Sequence, residues 1–233
     1  MNYPASPNFT KHSENLAEIQ LVITQVERSH KRSIREGDEP SELAFRKVHY
    51  LLVGIFAETR LRKIVDDPTG FNDRERQIIW GRRSQSDNWI ATVDQAVRRH
   101  FRVLSHQELT EVLEPLAMQR VDVVLDLLRG QLSSVITDRN KLAHGQWRWQ
   151  LGSGSNDKFR QQYSDLSYNY AAIRARHRIL ESIAKLVHAL CVSEPTFQRD
   201  FARLTAKIAA DSSQLDGSGY DDLRDQLRRM HRL

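Results

Sequence analysis

Apolar residues recur at three- and four-residue steps along most of the chain, the spacing of one face of an α-helix. Leu16, Ile19, Ile23 and Val26 predict a first helix over residues 13–35, stopped by the turn Glu36-Gly37-Asp38-Glu39-Pro40. A second begins near Ser41, carries Leu43, Val48, Leu51, Leu52, Ile55 and Phe56 toward Ile64, and ends before Asp66-Asp67-Pro68-Thr69-Gly70. Two long helices joined by so short a connection pack antiparallel. The pattern then shortens. Asn72 with Glu75 predicts a capping box opening a helix through Ile78, Ile79 and Trp80; Trp89, Ile90, Val93, Val97 and Phe101 form the face of another; Ser105 with Glu108 reads as a second capping box ahead of Leu109, Val112 and Leu113. From Pro115, which suits the first turn of a helix, Val121, Val124, Leu125, Leu128, Leu132, Val135 and Ile136 share one face. Gln146 to Leu151 alternate bulky and polar residues, which fits extended chain before the flexible Gly152-Ser153-Gly154-Ser155. The last long helix is expected from about Phe159, with Leu166, Tyr170, Ile173, Leu180, Ala184 and Val187 as its stripe, and His177 on that stripe as a core or interface side chain. A further helix runs from Ser193 through Ile208. Asp216-Gly217-Ser218-Gly219 reads as a linker, and Asp221 to Leu233 as a basic amphipathic segment with Leu223, Leu227 and Met230 on one side.

The fold class that follows is all-α. Residues 11–192 are read as a bundle of long helices, with 71–113 a short-helix insertion between the second and third of them. Residues 193–233 form a C-terminal helix and basic tail. No internal repeat is visible.

Composition narrows the class of protein. A chain of 233 residues can bury a proper core. The one cysteine, Cys191, excludes an internal disulfide and suits a reducing compartment. No apolar run approaches the roughly 20 residues that span a bilayer, and the N-terminal stretch lacks the basic and apolar regions of a secretory signal, so the expectation is a cytoplasmic protein with no membrane partner. Lys plus Arg number 35 against 30 Asp plus Glu, a net charge of +5 with a pI near 9.5. That excess favours polyanions, because arginine and lysine draw in phosphates and release counterions. Arg82, Arg83, Arg98, Arg99 and Arg102 are the clustered candidates for phosphate contact.

One stretch between two helices carries chemistry: Thr137 to Gly145, T-D-R-N-K-L-A-H-G, in which Arg139-Asn140 is followed by His144. RNA cleaves itself when its 2′-hydroxyl attacks the neighbouring phosphate, so an enzyme needs a group to move protons and a cation to steady the charge gathering on phosphoryl oxygen. Histidine, titrating near neutrality, meets the first need. Arginine, permanently charged and forked, meets the second. Asn140 is a hydrogen-bond donor or acceptor for a phosphate or for the histidine. Arg99 with His106 and Arg224 with His231 share the loose spacing but lack the asparagine. Glu58, beside the apolar stripe of the second helix, either pairs with Arg62 one turn on or orients Arg139 or His144. Lys141, Trp147 and Arg148 are further candidates for touching RNA, with Glu58 beside them; Trp147 and Trp149 either stack on bases or cover the end of the bundle. There is no metal-spaced Cys/His cluster, no H-E-x-x-H, no glycine-rich phosphate loop and no G-x-S-x-G. No metal and no cofactor is implied.

Arg139-Asn140 followed by His144, placed where one long helix ends and the last is approached, resembles the motif of the HEPN superfamily. The resemblance implies a four-helix up-and-down bundle, here with additional short helices and a C-terminal helical extension. It also implies a metal-independent endoribonuclease with Arg139, Asn140 and His144 as catalytic residues and 2′,3′-cyclic phosphate and 5′-hydroxyl products. The motif holds one histidine per chain, and such proteins commonly dimerise so that two motifs face each other; a homodimer with a composite active site is therefore expected. A toxin with an antitoxin or regulatory protein partner, a phage-defence effector and an RNA-processing factor all fit. Two other readings stand beside it: a HEPN-like module that binds RNA or protein without cutting, and an interaction bundle in which Arg139 and Asn140 merely end a helix.

Overall fold

In the computed structural model, which describes residues 8–151, 159–162, 168–215 and 219–230, the first apolar stripe forms α1 (Phe9–Glu36), burying Leu16, Ile23 and Ile34. The turn at Gly37 leads straight into α2 (Glu39–Val65), where the Asp38 carboxylate accepts the Ser41 N–H and Pro40 occupies the first turn. The two helices are antiparallel: His12 near the start of α1 meets Asp66 beyond the end of α2 at 3.0 Å.

The middle section begins with α3 (Asp73–Trp80), opened by the Asn72–Glu75 capping box with both of its hydrogen bonds formed. Next comes α4 (Gln85–Phe101), whose Trp89, Val93, Ala96 and Val97 are buried. Burying a side chain of that size stabilises by roughly 1.5–3 kcal/mol, so this stretch is built into the core. The second expected capping box, Ser105 with Glu108, does not form. Instead Gln107 Oε1 accepts the Leu104 N–H, and Arg98 donates to the carbonyls of Leu104 and Gln107. Those bonds lock a turn where a helix would have had to start, leaving α5 (Leu109–Val112) a single turn with no side-chain cap.

From Pro115 the chain runs as α6 (Pro115–Leu127), a π-helical turn (Leu128–Leu132) and α7 (Ser133–Ala143) without a break. Buried Val121, Val124, Leu128 and Leu132 are spaced by threes and fours, and Val135 and Ile136 continue the same face. The wider π turn absorbs one residue of drift between the two α segments. Next comes an antiparallel pair of short strands, β1 (Trp149–Leu151) and β2 (Phe159–Gln162). The last long helix therefore does not start near Phe159. Pairing with β1 holds that segment extended, and α8 (Tyr170–Val192) starts where the Asn169 side chain accepts the Ala172 N–H. Gly152 to Ser155, Leu166, the Asp216–Ser218 part of the expected linker and the last three residues lie outside the described residues.

Helix α8 is the centre of the core, with Ile173, Ile179, Leu180, Ile183, Leu186, Val187 and Leu190 buried. It runs beside α2 in the same direction: the rings of Phe56 and His177 meet edge to face at 4.8 Å, and eleven residues further along α8 His188 reaches Asp67, just past the end of α2, at 2.9 Å. His177 is thus half-buried, packed against Phe56 of the core. Helix α9 (Glu194–Ser212) folds back along α8, where Arg178 meets Asp211 at 2.7 Å. The basic segment forms α10 (Tyr220–Arg229), which docks on the α1–α2 end: Leu227 packs with Ile34 and Tyr170, and the Tyr220 hydroxyl donates to Glu42. Apart from the strand pair the described chain is helical, and no helix in it is long and apolar enough to cross a membrane.

Two histidines are sealed between α1 and α2, against the Tyr170 ring at the start of α8. His30 and His49 are fully buried, their Nδ1 atoms 3.4 Å apart in a hydrogen bond that needs one ring to donate and the other to accept. Burial pushes His30 down to about 4, against the pull of Glu42. Burial, together with the neighbouring His30, His177 and Arg174 charges, pushes His49 down to about 3. Both are therefore neutral in the folded protein, while their unfolded counterparts take up protons below about pH 6.5. Stability is expected to hold above pH 6.5 and to drain away as pH falls toward 4, by roughly 2 kcal/mol per histidine at pH 5. Urea midpoints across that range check this; a His30→Phe/His49→Leu variant that keeps the full slope between pH 6.5 and 5 would assign it elsewhere.

Candidate functional site

Arg139 leaves α7 toward α2 at a point where the helices nearly touch. A Cβ placed on Gly54 would lie 2.3 Å from Arg139 Cβ and 2.5 Å from its Cγ, so only glycine admits α7 this close. The guanidinium is held on two sides: Nη2 donates to Glu58 Oε2 at 2.6 Å and Nη1 to Asn140 Oδ1 at 2.9 Å. Glu58 Oε1 also accepts from Arg62 Nη2 at 3.0 Å. Both roles considered for Glu58 are therefore filled at once, and the carboxylate aims Arg139 as an acceptor for two guanidiniums. Asn140 spends its carbonyl oxygen on the same arginine.

One residue earlier, Asp138 ties the end of α7 to the rest of the bundle. Its Oδ2 accepts from Tyr168 at 2.6 Å and Tyr50 at 3.3 Å, and those two rings pack edge to face at 4.7 Å. Lys141 Nζ lies 3.6 Å from Asp138 Oδ1. Beyond Leu142 the helix closes in a Schellman turn: Gln146 N–H donates to the Lys141 carbonyl and Gly145 N–H to that of Leu142, with Gly145 at φ 78°. The glycine tolerates a backbone that other residues resist. Half-buried Trp147 packs on the core, and its Nε1 donates to the Leu142 carbonyl at 2.9 Å, so this ring covers the bundle end. Arg148 and Trp149 are exposed.

His144 is the C-cap of α7, exposed, and its imidazole makes no hydrogen bond among the described residues. Arg139, Asn140 and Glu58 line a cleft of about 380 Å³ with Arg62, Arg82 and Arg83. His144 is not part of that lining. The site thus consists of a fixed arginine in a cationic cleft and, one helical turn on, a histidine open to solvent.

No family model, curated protein or solved structure matches the chain. The site is therefore read from its own geometry. Among the described residues, no group of three or more His, Cys, Asp or Glu side chains is placed to hold a metal ion. The rival spacings are used otherwise. Arg99 donates to the carbonyls of Thr69 and Cys191 and lies over the Phe71 ring. Arg224 pairs with Asp221, and His231 lies outside the described residues. Arg98 and Arg99, expected among the phosphate contacts, are thus occupied in holding the fold together: Arg98 bridges Asp94 and the Leu104–Gln107 turn. Arg82 and Arg83 remain exposed, as does Arg102. Sequence reasoning passed over Gly54, Tyr50, Asp138 and Tyr168. Gly54 had a visible signal, a glycine inside an otherwise apolar helix, which weakens it by about 1 kcal/mol relative to alanine unless a close neighbour requires it.

Proposed function

We propose that the chain is a metal-independent endoribonuclease of HEPN type, with Arg139 and His144 as its catalytic residues. The observation that carries the reading is Arg139: half-buried, its guanidinium fixed by Glu58 and Asn140, and lining a cationic cleft one turn before an unencumbered histidine. A preset cation next to a free acid–base group is what phosphodiester cleavage by the 2′-hydroxyl requires.

In the proposed reaction the neutral imidazole of one His144 takes the 2′-hydroxyl proton as O2′ bonds to phosphorus. The P–O5′ bond breaks with its electron pair, and the departing oxygen takes a proton from an imidazolium, leaving a 2′,3′-cyclic phosphate and a 5′-hydroxyl. Arg139 steadies the charge on the phosphoryl oxygens. Each chain offers one such histidine, so a two-fold dimer, in which the same patch pairs with itself, supplies the second as His144 of the partner subunit. Glu58 acts through Arg139 as a positioning residue. An antitoxin or other regulatory protein fits a nuclease that must be restrained in its own cell.

The test is incubation of the purified protein with mixed single-stranded and structured RNAs in EDTA, with product ends mapped. Cyclic-phosphate ends, formed undiminished under chelation by a species that sediments as a dimer, are the expected result. A monomer that cuts equally well would sink the composite site, and activity lost to EDTA would sink the metal-free mechanism. A second reading draws on the short Glu58–Arg139 pair, which ties up one edge of the guanidinium: a module that holds RNA without cutting it. Binding without cleavage in the same experiment would select it.

A further inference from the structure

We propose that the surface leading out of the Arg139 cleft around the α3–α4 turn is a track for the phosphate backbone of single-stranded RNA, with Arg82 and Arg83 as its phosphate-binding residues. The proposal rests on the RNA reading above but concerns residues outside the Arg-Asn-His motif.

Three adjoining cavities meet at this turn, of about 380, 620 and 560 Å³. Arg82 lines all three and Arg83 two of them. A small ligand needs one recess. A run of recesses sharing walls fits a polymer whose backbone passes over the ridge while successive units dip to either side. The ridge is the turn itself, Gly81 to Ser84, and its two arginines are exposed and make no hydrogen bond or ion pair among the described residues. Their availability contrasts with Arg62 and Arg139, which share Glu58, and with Arg98 and Arg99, which are bonded into the fold. In the cleft, four arginines stand against one carboxylate. That balance calls for an anion.

The walls of the cleft carry unmet hydrogen-bonding capacity. Arg139 Nε and Gln85 Nε2, both donors, and Asn88 Oδ1, an acceptor, are buried with no hydrogen-bond partner among the described residues. Bases that enter recesses must be unpaired, which selects single strands over duplex.

The test separates binding from cutting. A fluorescent 2′-O-methyl RNA oligonucleotide, which has no attacking hydroxyl, is titrated by anisotropy against the unsubstituted protein and Arg82→Ala/Arg83→Ala over a range of salt, with polyglutamate as competitor. The double variant is expected to bind at least ~10-fold more weakly, since each charged hydrogen bond lost is worth that order. Its salt dependence should be shallower by about 1.4 units of slope for two single-strand phosphates. Unchanged affinity in a double variant that melts normally, failure of the unsubstituted protein to bind the oligonucleotide, or equal displacement by polyglutamate would each overturn the track. Binding that depends on Arg82 and Arg83 in a protein that never cuts ordinary RNA would overturn the nuclease reading alone; normal cutting with unaltered binding in the double variant would overturn the track alone.

Discussion

His144→Ala is expected to lower the rate of RNA cleavage by about 100-fold to 10,000-fold, the range a general acid or base contributes, with the unfolding midpoint essentially unmoved. The two halves of that result come from the same geometry. The imidazole is exposed and makes no hydrogen bond among the described residues, so its removal breaks no contact; surface changes of this kind stay within about 0.5 kcal/mol. The backbone at this position, φ −93° and ψ 21°, is open to alanine, and the Schellman turn is built from main-chain bonds and Gly145 rather than from the ring. Initial rates on a labelled RNA and urea melts of the same preparations check both halves. Full activity in the variant would remove His144 from the mechanism; a collapse of stability with the activity would make it structural instead.

Gly54→Ala should do the reverse, injuring the fold and the site together. Two carbons do not approach closer than roughly 3.5 Å without repulsion, and the added methyl would sit 2.3 Å from Arg139 Cβ. That atom is fixed to the α7 backbone, so α2 and α7 must move apart by about an ångström. Overpacking of this kind destabilises by roughly 1–3 kcal/mol, occasionally more, and the better helix propensity of alanine returns only about 1. The displacement falls on the Glu58–Arg139 pair, and a misplacement of about 1 Å in a catalytic group is worth on the order of 100-fold in rate. Melts and cleavage rates under folded conditions measure the two effects separately. A variant that is more stable than the parent, as propensity alone predicts, would show that the helix contact yields.

The helices were legible because most of them bury a stripe, and a stripe leaves its period in the sequence. Asn72–Glu75 was readable for the same local reason: both halves of the motif lie within four residues. Ser105–Glu108 has the same letters, yet Arg98 from the preceding helix claims the carbonyls of that turn, and no local pattern announces a bond from six and nine residues away. Phe159 failed in a similar way, its apolar side chain prolonging a helical pattern while its backbone pairs with Trp149–Leu151. At the site, the type and order of Arg139, Asn140 and His144 could be read directly, since chemistry restricts which residues serve. Their surroundings could not. Glu58 is 81 positions from Arg139 and Tyr50 is 88 from Asp138, contacts that only the packed bundle creates. The distinction between Arg99, bonded into the fold, and Arg82, free at the surface, is likewise a property of tertiary structure rather than of composition.

The π turn at Leu128–Leu132 stores one residue more than an α-helix of the same rise would hold. It works as a vernier between two scales: the upstream segment is indexed by its core face, and the motif downstream by its contact with Gly54 and Glu58. One residue of an α-helix corresponds to about 100° of rotation. Shortening the turn by one residue would therefore leave every side chain of the motif intact while swinging it around the helix axis, away from its carboxylate. In this stretch, residue count is an angular coordinate.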